Sequence, residues 1–172
     1  MPEDKIQIYC GTGSGRTAAA IGHGIRYASV GKTVFMVRFL KGKGGLNAEF
    51  LRKLEPEIKV FSFDKFESSY SDLTEQEQAE ERLHFRNGLN FAKKVLVTDE
   101  CDVLILDEIL DLVALGIIEV KEALDLMDAV SDNVIMIMTG TERCEELWEK
   151  ASRVTEVKTL KETVQIQGKQ IL

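Results

Sequence analysis

Short apolar runs rich in β-branched residues alternate with helical patterns along the chain, and this alternation restricts the fold more than any other feature. Ile6 to Cys10 reads as a first strand, Thr17 to Val30 as a helix closing at Gly31, and Thr33 to Phe39 as a second strand. A glycine-rich stretch, Gly42 to Gly45, leads to a short helix ending near Leu54 to Pro56, and Lys59 to Phe63 reads as strand three. A long charged helix is expected from Thr74 to about Thr98, opened by a capping box between Thr74 and Glu77. Val103 to Leu106, ending at Asp107 and Glu108, is the fourth strand; one or two helices cover Ile109 to Val130, broken near Gly116. Val134 to Met138 is the fifth strand, and Glu142 to Ser152 reads as a helix carrying Trp148. Two strand-like pieces follow, Val154 to Val157 and Thr163 to Leu172, the second with a turn at Gln167 to Lys169. Strands alternating with helices predict a parallel α/β sheet covered on both faces and joined by right-handed crossovers.

Ligands of such sheets bind beyond the carboxyl ends of the strands. Those ends carry GTGSGRT (residues 11–17), Lys41 with Gly42, Asp107 with Glu108, and TGT (residues 139–141), which are therefore expected to converge on one site. The first has the layout of a phosphate-binding loop: strand, glycine-rich turn, helix. Gly11, Gly13 and Gly15 permit positive φ and close backbone approach. Successive N–H groups then make an anion nest, to which the helix adds its positive end. Thr17 offers a hydroxyl where a P-loop ligates magnesium, and Arg16 stands where lysine is usual. Arginine keeps the charge but presents a planar fork in place of a compact ammonium. A glycine-rich connection with no ligand is the alternative for the loop alone. Asp107 and Glu108, ending an apolar strand, supply the acid that P-loop proteins use to hold magnesium; as bare residues they also suit a solvated strand end or a helix N-cap.

The remaining candidates have simpler readings. His23 and His84 lack ligand-spaced partners and suit core or surface roles. Phe61, Phe63, Phe66 and Tyr70 are candidates for a pocket wall, although alternating aromatics on a strand are more often core. Thr74 to Glu81 reads as a solvated helix face. The formal net charge of −7 over 172 residues argues against a nucleic-acid backbone as the main partner, though a local loop can bind phosphates inside an acidic protein. Three cysteines, Cys10, Cys101 and Cys144, show no CxxC spacing and read as free thiols, with Cys10 and Cys101 as packing residues. No signal peptide or bilayer-spanning stretch is apparent, and the expectation is a single cytoplasmic domain over residues 1–172 without a membrane partner.

With these pieces placed, the sequence resembles the P-loop-type ATP:corrinoid adenosyltransferases, the CobA/CobO/BtuR family. The resemblance spans nearly the whole chain and lies in IQIYCGTGSGRTAAAIGHGIRYASVGKTVFMVRFLKG, LILDEILDLVALGII, VIMIMTG and ASRVTEVK. It implies a three-layer P-loop NTPase-like (RecA-like) fold with a mainly parallel sheet, and a homodimer. It implies ATP and a reduced corrinoid as substrates, with Mg²⁺. The cobalt attacks the ribose C5′ and triphosphate leaves whole, so the protein positions C5′ and stabilises charge on the leaving group.

By this resemblance Gly11, Thr12, Gly13, Ser14, Gly15, Arg16, Thr17 and Ala18 match the phosphate loop. Thr17, Asp107 and Glu108 are the metal candidates, and Arg16, Thr17 and Glu108 the catalytic ones. Phe63, Phe66 and Tyr70 lie where the family covers the corrinoid. Five departures stand out. Ser14 and Arg16 replace the loop lysines, and Ala18 replaces the second threonine. Thr141 stands in place of the arginine in Thr-Gly-Arg, with Arg143 two residues on, and the family's basic C-terminal tail is replaced by KTLKETVQIQGKQIL. Two rivals follow from these departures: a nucleotide-binding paralogue impaired in transfer, with a regulatory or delivery role, and another P-loop NTPase or phosphotransferase.

Overall fold

A computed structural model describes residues 4–40 and 48–163. The expected features at Lys41 and Gly42, at Gly42 to Gly45 and at 164–172 lie outside these residues.

The chain forms β1 (Ile6–Cys10), α1 (Arg16–Ala28), β2 (Val34–Arg38), α2 (Ala48–Leu51), β3 (Ile58–Ser62) and α3 (Glu75–Val97). Then come β4 (Val103–Asp107), α4 (Ile109–Ala114), α5 (Val120–Asp128), β5 (Ile135–Thr139) and β6 (Arg153–Glu156). The six strands make one sheet in the order β3-β2-β4-β5-β1-β6, and every pairing is parallel. The strand bearing the glycine loop and the strand ending in Asp107 are thus separated by one strand, β5.

Side chains alternate across a strand, so each strand feeds two cores. Val34, Met36, Val103 and Ile105 face α1 together with Ala20, Ile21 and Leu51. Phe35, Val37, Leu104 and Leu106 face the other way, into the layer built by α3, α4 and α5. β1, β2 and β4 are buried along their whole length, which is why they read as mainly apolar runs, with Gln7, Arg38 and Asp107 as buried polar exceptions. The result is the expected three-layer α/β arrangement.

Local signals fix several boundaries. Thr74 caps α3 and exchanges hydrogen bonds with Glu77, as the capping box predicts. Gly116, at φ 66°, ends the α4 region by adopting the left-handed backbone that a side chain disfavours. The helix expected over Glu142 to Ser152 is instead a 3₁₀ stretch, Glu145–Lys150. Cys144 at its head has φ 43°, and Trp148 Nε1 donates to the carbonyl of Arg143 at 2.9 Å, so the chain turns there and cannot begin a helix earlier. Cys10 and Cys101 are packing residues, and burial pushes the Cys101 thiol up to about 12.

Phe63 belongs to this packing and does not line the site cavity described below. It stacks on Phe91, ring centroids 5.6 Å apart, over Gly88 of α3. A Cβ at Gly88 would lie 2.8 Å from Phe39 Cε1 and 2.9 Å from Phe63 Cγ. In an open helix Gly→Ala stabilises by about 1 kcal/mol, whereas overpacking costs about 1–3 kcal/mol. Gly88→Ala is therefore expected to destabilise the protein by about 1 kcal/mol net, read from urea unfolding; a stabilised variant would contradict this packing.

Candidate active site

β1 delivers its last residue, Cys10, straight into the loop. Gly11 and Gly15 hold φ 106° and 114°, conformations that call for glycine. Gly13 is required for a different reason: an added Cβ would sit 2.8 Å from the Val157 carbonyl and 3.0 Å from Lys158 Cα. The loop is braced from both neighbouring strands. Gly11 N donates to Thr141 O (3.1 Å), Gly13 N to Val157 O (2.9 Å), and Val157 N to Cys10 O (2.7 Å). Two loop amides are thus committed to the scaffold. The first turn of α1 supplies the amides of Arg16, Thr17 and Ala18, N-terminal donors with no intrahelical carbonyl to bind. Thr12, Ser14, Gly15 and Ala18 are exposed, and Gly11 and Gly13 are buried beneath them.

Arg16 folds back onto its own loop. Its Nη1 donates to Gly11 O at 2.6 Å and Gly13 O at 2.7 Å, and Nη2 lies 3.6 Å from Glu108 Oε1. Nε is buried with no acceptor among the described residues, an orphan donor beside the helix N-terminus. The guanidinium therefore shapes the loop from inside, a role that its position in the sequence does not disclose.

Asp107 is 1% exposed and is the centre of the site. Its Oδ1 accepts from Thr17 Oγ1 at 2.7 Å and from Thr139 Oγ1 at 2.8 Å. Its Oδ2 lies 3.6 Å from Nε of the buried Arg38. Glu108 follows with φ 64°, and its N–H donates to Thr139 Oγ1 at 2.9 Å. Burial, then a hydrogen bond and like charge from Asp111 and the charge of Asp107, push the Glu108 carboxyl up to about 8; Arg16 opposes this. Asp111 in turn accepts from Thr141 N at 2.9 and 3.1 Å.

The hydroxyl of Thr17 and the carboxylates of Asp107 and Glu108 are hard oxygen donors of the type Mg²⁺ takes. Among the described residues no group of three or more His, Cys, Asp or Glu side chains is suited to a metal. Mg²⁺ characteristically takes one or two carboxylates and completes its shell with substrate phosphates and water.

Beside this floor opens a cavity of about 620 Å³, lined by Arg16, Glu108 and Asp111 on one side and by Phe66 and Tyr70 on the other. Of the three aromatic candidates, then, Phe66 and Tyr70 reach the cavity and Phe63 does not. Glu81, expected on a solvated face, is 3% exposed. Its carboxylate takes the Lys65 amide at 2.9 and 3.2 Å and the Phe66 amide at 3.5 Å, holding the aromatic wall in place. The signal was available, because Glu81 lies on the helical stripe of Phe85, Gly88 and Leu89. Arg38 and Asp111 carry no sequence signal beyond their neighbours. The Arg143 guanidinium lies over Trp148 at 5.2 Å and 3.7 and 3.8 Å from Glu145 and Glu156. His23 is half-buried and hydrogen-bonded, 2.7 Å from Tyr9 Oη.

Fold and site together define a P-loop α/β protein with a large cleft against its phosphate loop. The sequence matches the ATP:corrinoid adenosyltransferase BtuR/CobO/CobP family over residues 3–170, and the chain belongs to that transferase family. It is 26% identical over 156 residues to the corrinoid adenosyltransferase of Escherichia coli K12, covering 91% of this chain and 77% of that one. The corrinoid adenosyltransferase CobA of Salmonella typhimurium is similar to the same extent, 26% over 156 residues. The solved structure of C. elegans PCH-2 is similar at TM-score 0.39 and 14% identity; the chain spans 35% of that protein, a likeness too distant to inform this site. No described helix is long and apolar enough to cross a membrane.

The raised Glu108 carboxyl has a consequence for stability. The unfolded chain releases this proton near 4.5 and the folded chain near 8, so the folded state binds more protons between those values. Stability contributed here therefore falls as pH rises through that window and is flat above it. In metal-free and nucleotide-free buffer, Glu108→Gln is expected to lack this slope. Urea unfolding of both proteins across the window checks it: the variant should gain on the wild type with rising pH.

Proposed function

We propose that the chain transfers the 5′-deoxyadenosyl group of ATP to the cobalt of a reduced corrinoid, releasing triphosphate. One observation carries this reading: the helix N-terminus with its braced loop, the Thr17–Asp107 pair and the aromatic-walled cavity all meet at Arg16 and Glu108. A nucleotide whose triphosphate lies on the loop would present its ribose toward that cavity. In the transfer a cobalt–carbon bond forms as the C5′–oxygen bond breaks, and the electron pair departs on triphosphate.

The work left to the protein is positioning and charge stabilisation. The amides at the head of α1 face the phosphates, and Arg16 both shapes the loop and lends it charge. Thr17, Asp107 and Glu108 would hold Mg²⁺, which when bound neutralises charge on the triphosphate. Phe66 and Tyr70, backed by Glu81, form the wall against which the corrinoid rests. Residues 1–172 act as one cytoplasmic domain and, as the resemblance implies, pair as a homodimer.

A second reading is favoured by a specific observation. Ser14 and Thr141 bring no charge, and Arg143 is engaged with Trp148, Glu145 and Glu156, so of the loop-lysine and Thr-Gly-Arg positions at which the family is cationic only Arg16 keeps a charge here. A nucleotide-binding paralogue impaired in transfer would have this pattern.

Incubation with ATP, Mg²⁺ and chemically reduced corrinoid separates the two. Transfer yields triphosphate in step with the spectral change of the alkylated corrinoid. Bound ATP with neither product would leave the binding reading, and diphosphate with phosphate would indicate a different P-loop enzyme. Arg16→Ala is expected to weaken ATP binding about 10- to 100-fold, as loss of a charged hydrogen-bonding contact implies. Arg16→Lys is expected to fall between the two, because one ammonium does not reproduce the planar fork. Isothermal titration reads both, and an Arg16→Ala protein that binds as the wild type does would remove Arg16 from the site.

A further inference from the structure

Thr139 sits at the carboxyl end of β5, the strand that separates the loop strand from the acid strand. It is 0% exposed, so neither ATP nor a corrinoid reaches it as the protein stands. Its hydroxyl has one proton and gives it to Asp107 Oδ1 at 2.8 Å; a lone pair takes the Glu108 amide at 2.9 Å. One side chain thereby fixes the carboxylate of one metal candidate and the left-handed backbone of the other.

The segment around it is clamped on three sides. A Cβ at Gly140 would lie 2.4 Å from Leu110 Cβ and 2.9 Å from Asp111 Oδ2, so β5 exits flush against α4. Thr141 N is held by both oxygens of Asp111, and Thr141 O holds Gly11 N. The Thr139 hydroxyl is therefore anchored relative to the loop, the acid strand and α4 at once.

We propose that Thr139 is a positioning residue for magnesium-dependent nucleotide binding. It keeps Asp107 aimed when Thr17, the other hydroxyl on the same Oδ1, is engaged with the metal. This inference rests on the proposed function, since it assumes that ATP and Mg²⁺ bind at Thr17, Asp107 and Glu108. A merely structural threonine would affect stability and all ligand binding alike, whereas a positioning residue affects the magnesium-dependent part.

The test is titration of ATP into wild type, Thr139→Val and Thr139→Ser, each with Mg²⁺ and with EDTA, alongside thermal unfolding. Thr139→Val keeps the shape and removes the hydroxyl. It is expected to lose about tenfold of the affinity gained from Mg²⁺ while its EDTA affinity stays within about twofold of wild type. Thr139→Ser keeps the hydroxyl and is expected to restore the gain to within about threefold. If Thr139→Val does not fold, Thr139→Ala, which also lacks the hydroxyl and adds no bulk, replaces it. A hydroxyl-free variant with the full magnesium gain would overturn the inference. Equal loss with and without Mg²⁺, or a serine variant as impaired as the valine, would do so too. The wild-type titration stands apart: no magnesium-dependent ATP binding there would overturn the proposed site and this inference together.

Discussion

Asp107 Oδ1 receives two hydroxyl protons, one from Thr17 at the head of α1 and one from Thr139 at the end of β5. A carboxylate 1% exposed has lost most of its water, and such a group is tolerated only when its lone pairs are satisfied. The two hydroxyls and the Arg38 guanidinium provide that compensation. They also tie the helix after β1, the strand end of β4 and the strand end of β5 to a single atom group. Because β5 lies between β1 and β4, no direct strand pairing could join the loop to the acid; the side-chain junction does it instead.

The loop depends on the same scaffold. Its amides at Gly11 and Gly13 are spent on Thr141 and Val157, which fixes the turn before any nucleotide arrives. Arg16 completes it by bridging the Gly11 and Gly13 carbonyls. Preorganised donors cost nothing to reorganise when charge develops on a bound anion, so a rigid loop would suit the proposed transfer, in which triphosphate leaves. The same arrangement accounts for the tolerance of Arg16 at a lysine position: a planar fork can bridge two carbonyls and still present donors to a phosphate.

The cavity wall follows a parallel logic on the other side of Glu108. Glu81, on the buried stripe of α3, binds the backbone of Lys65 and Phe66, and Tyr70 leans on Phe85 at 6.1 Å. The aromatic wall is therefore hung from α3, whose own N-terminus is fixed by its capping box. Acidic Glu108 and Asp111, crowded together and half-buried, lie between the glycine loop and this cavity.

The sequence by itself determined the alternation of strands and helices, the capping box at Thr74, the loop of three glycines and the acidic strand end. All of these are local: propensity, periodicity and glycine spacing act within a few residues of chain. It also carried, through its motifs, the family to which the chain belongs. Only the tertiary structure decided how each piece is used. Gly13 is held by an approach from Val157, 144 positions of chain away by numbering, and nothing near Gly13 announces it. Phe63 went to the core and Phe66 to the cavity because of where α3 packs, not because of their chemistry. Arg16 turned to loop carbonyls because the turn brought them within reach. Thr139, one residue of a strand end in the sequence, became the link between two acids because parallel strand order placed β5 between β1 and β4. Long-range packing selects among the conformations that local chemistry allows, and that selection is what a linear sequence read in short windows does not show.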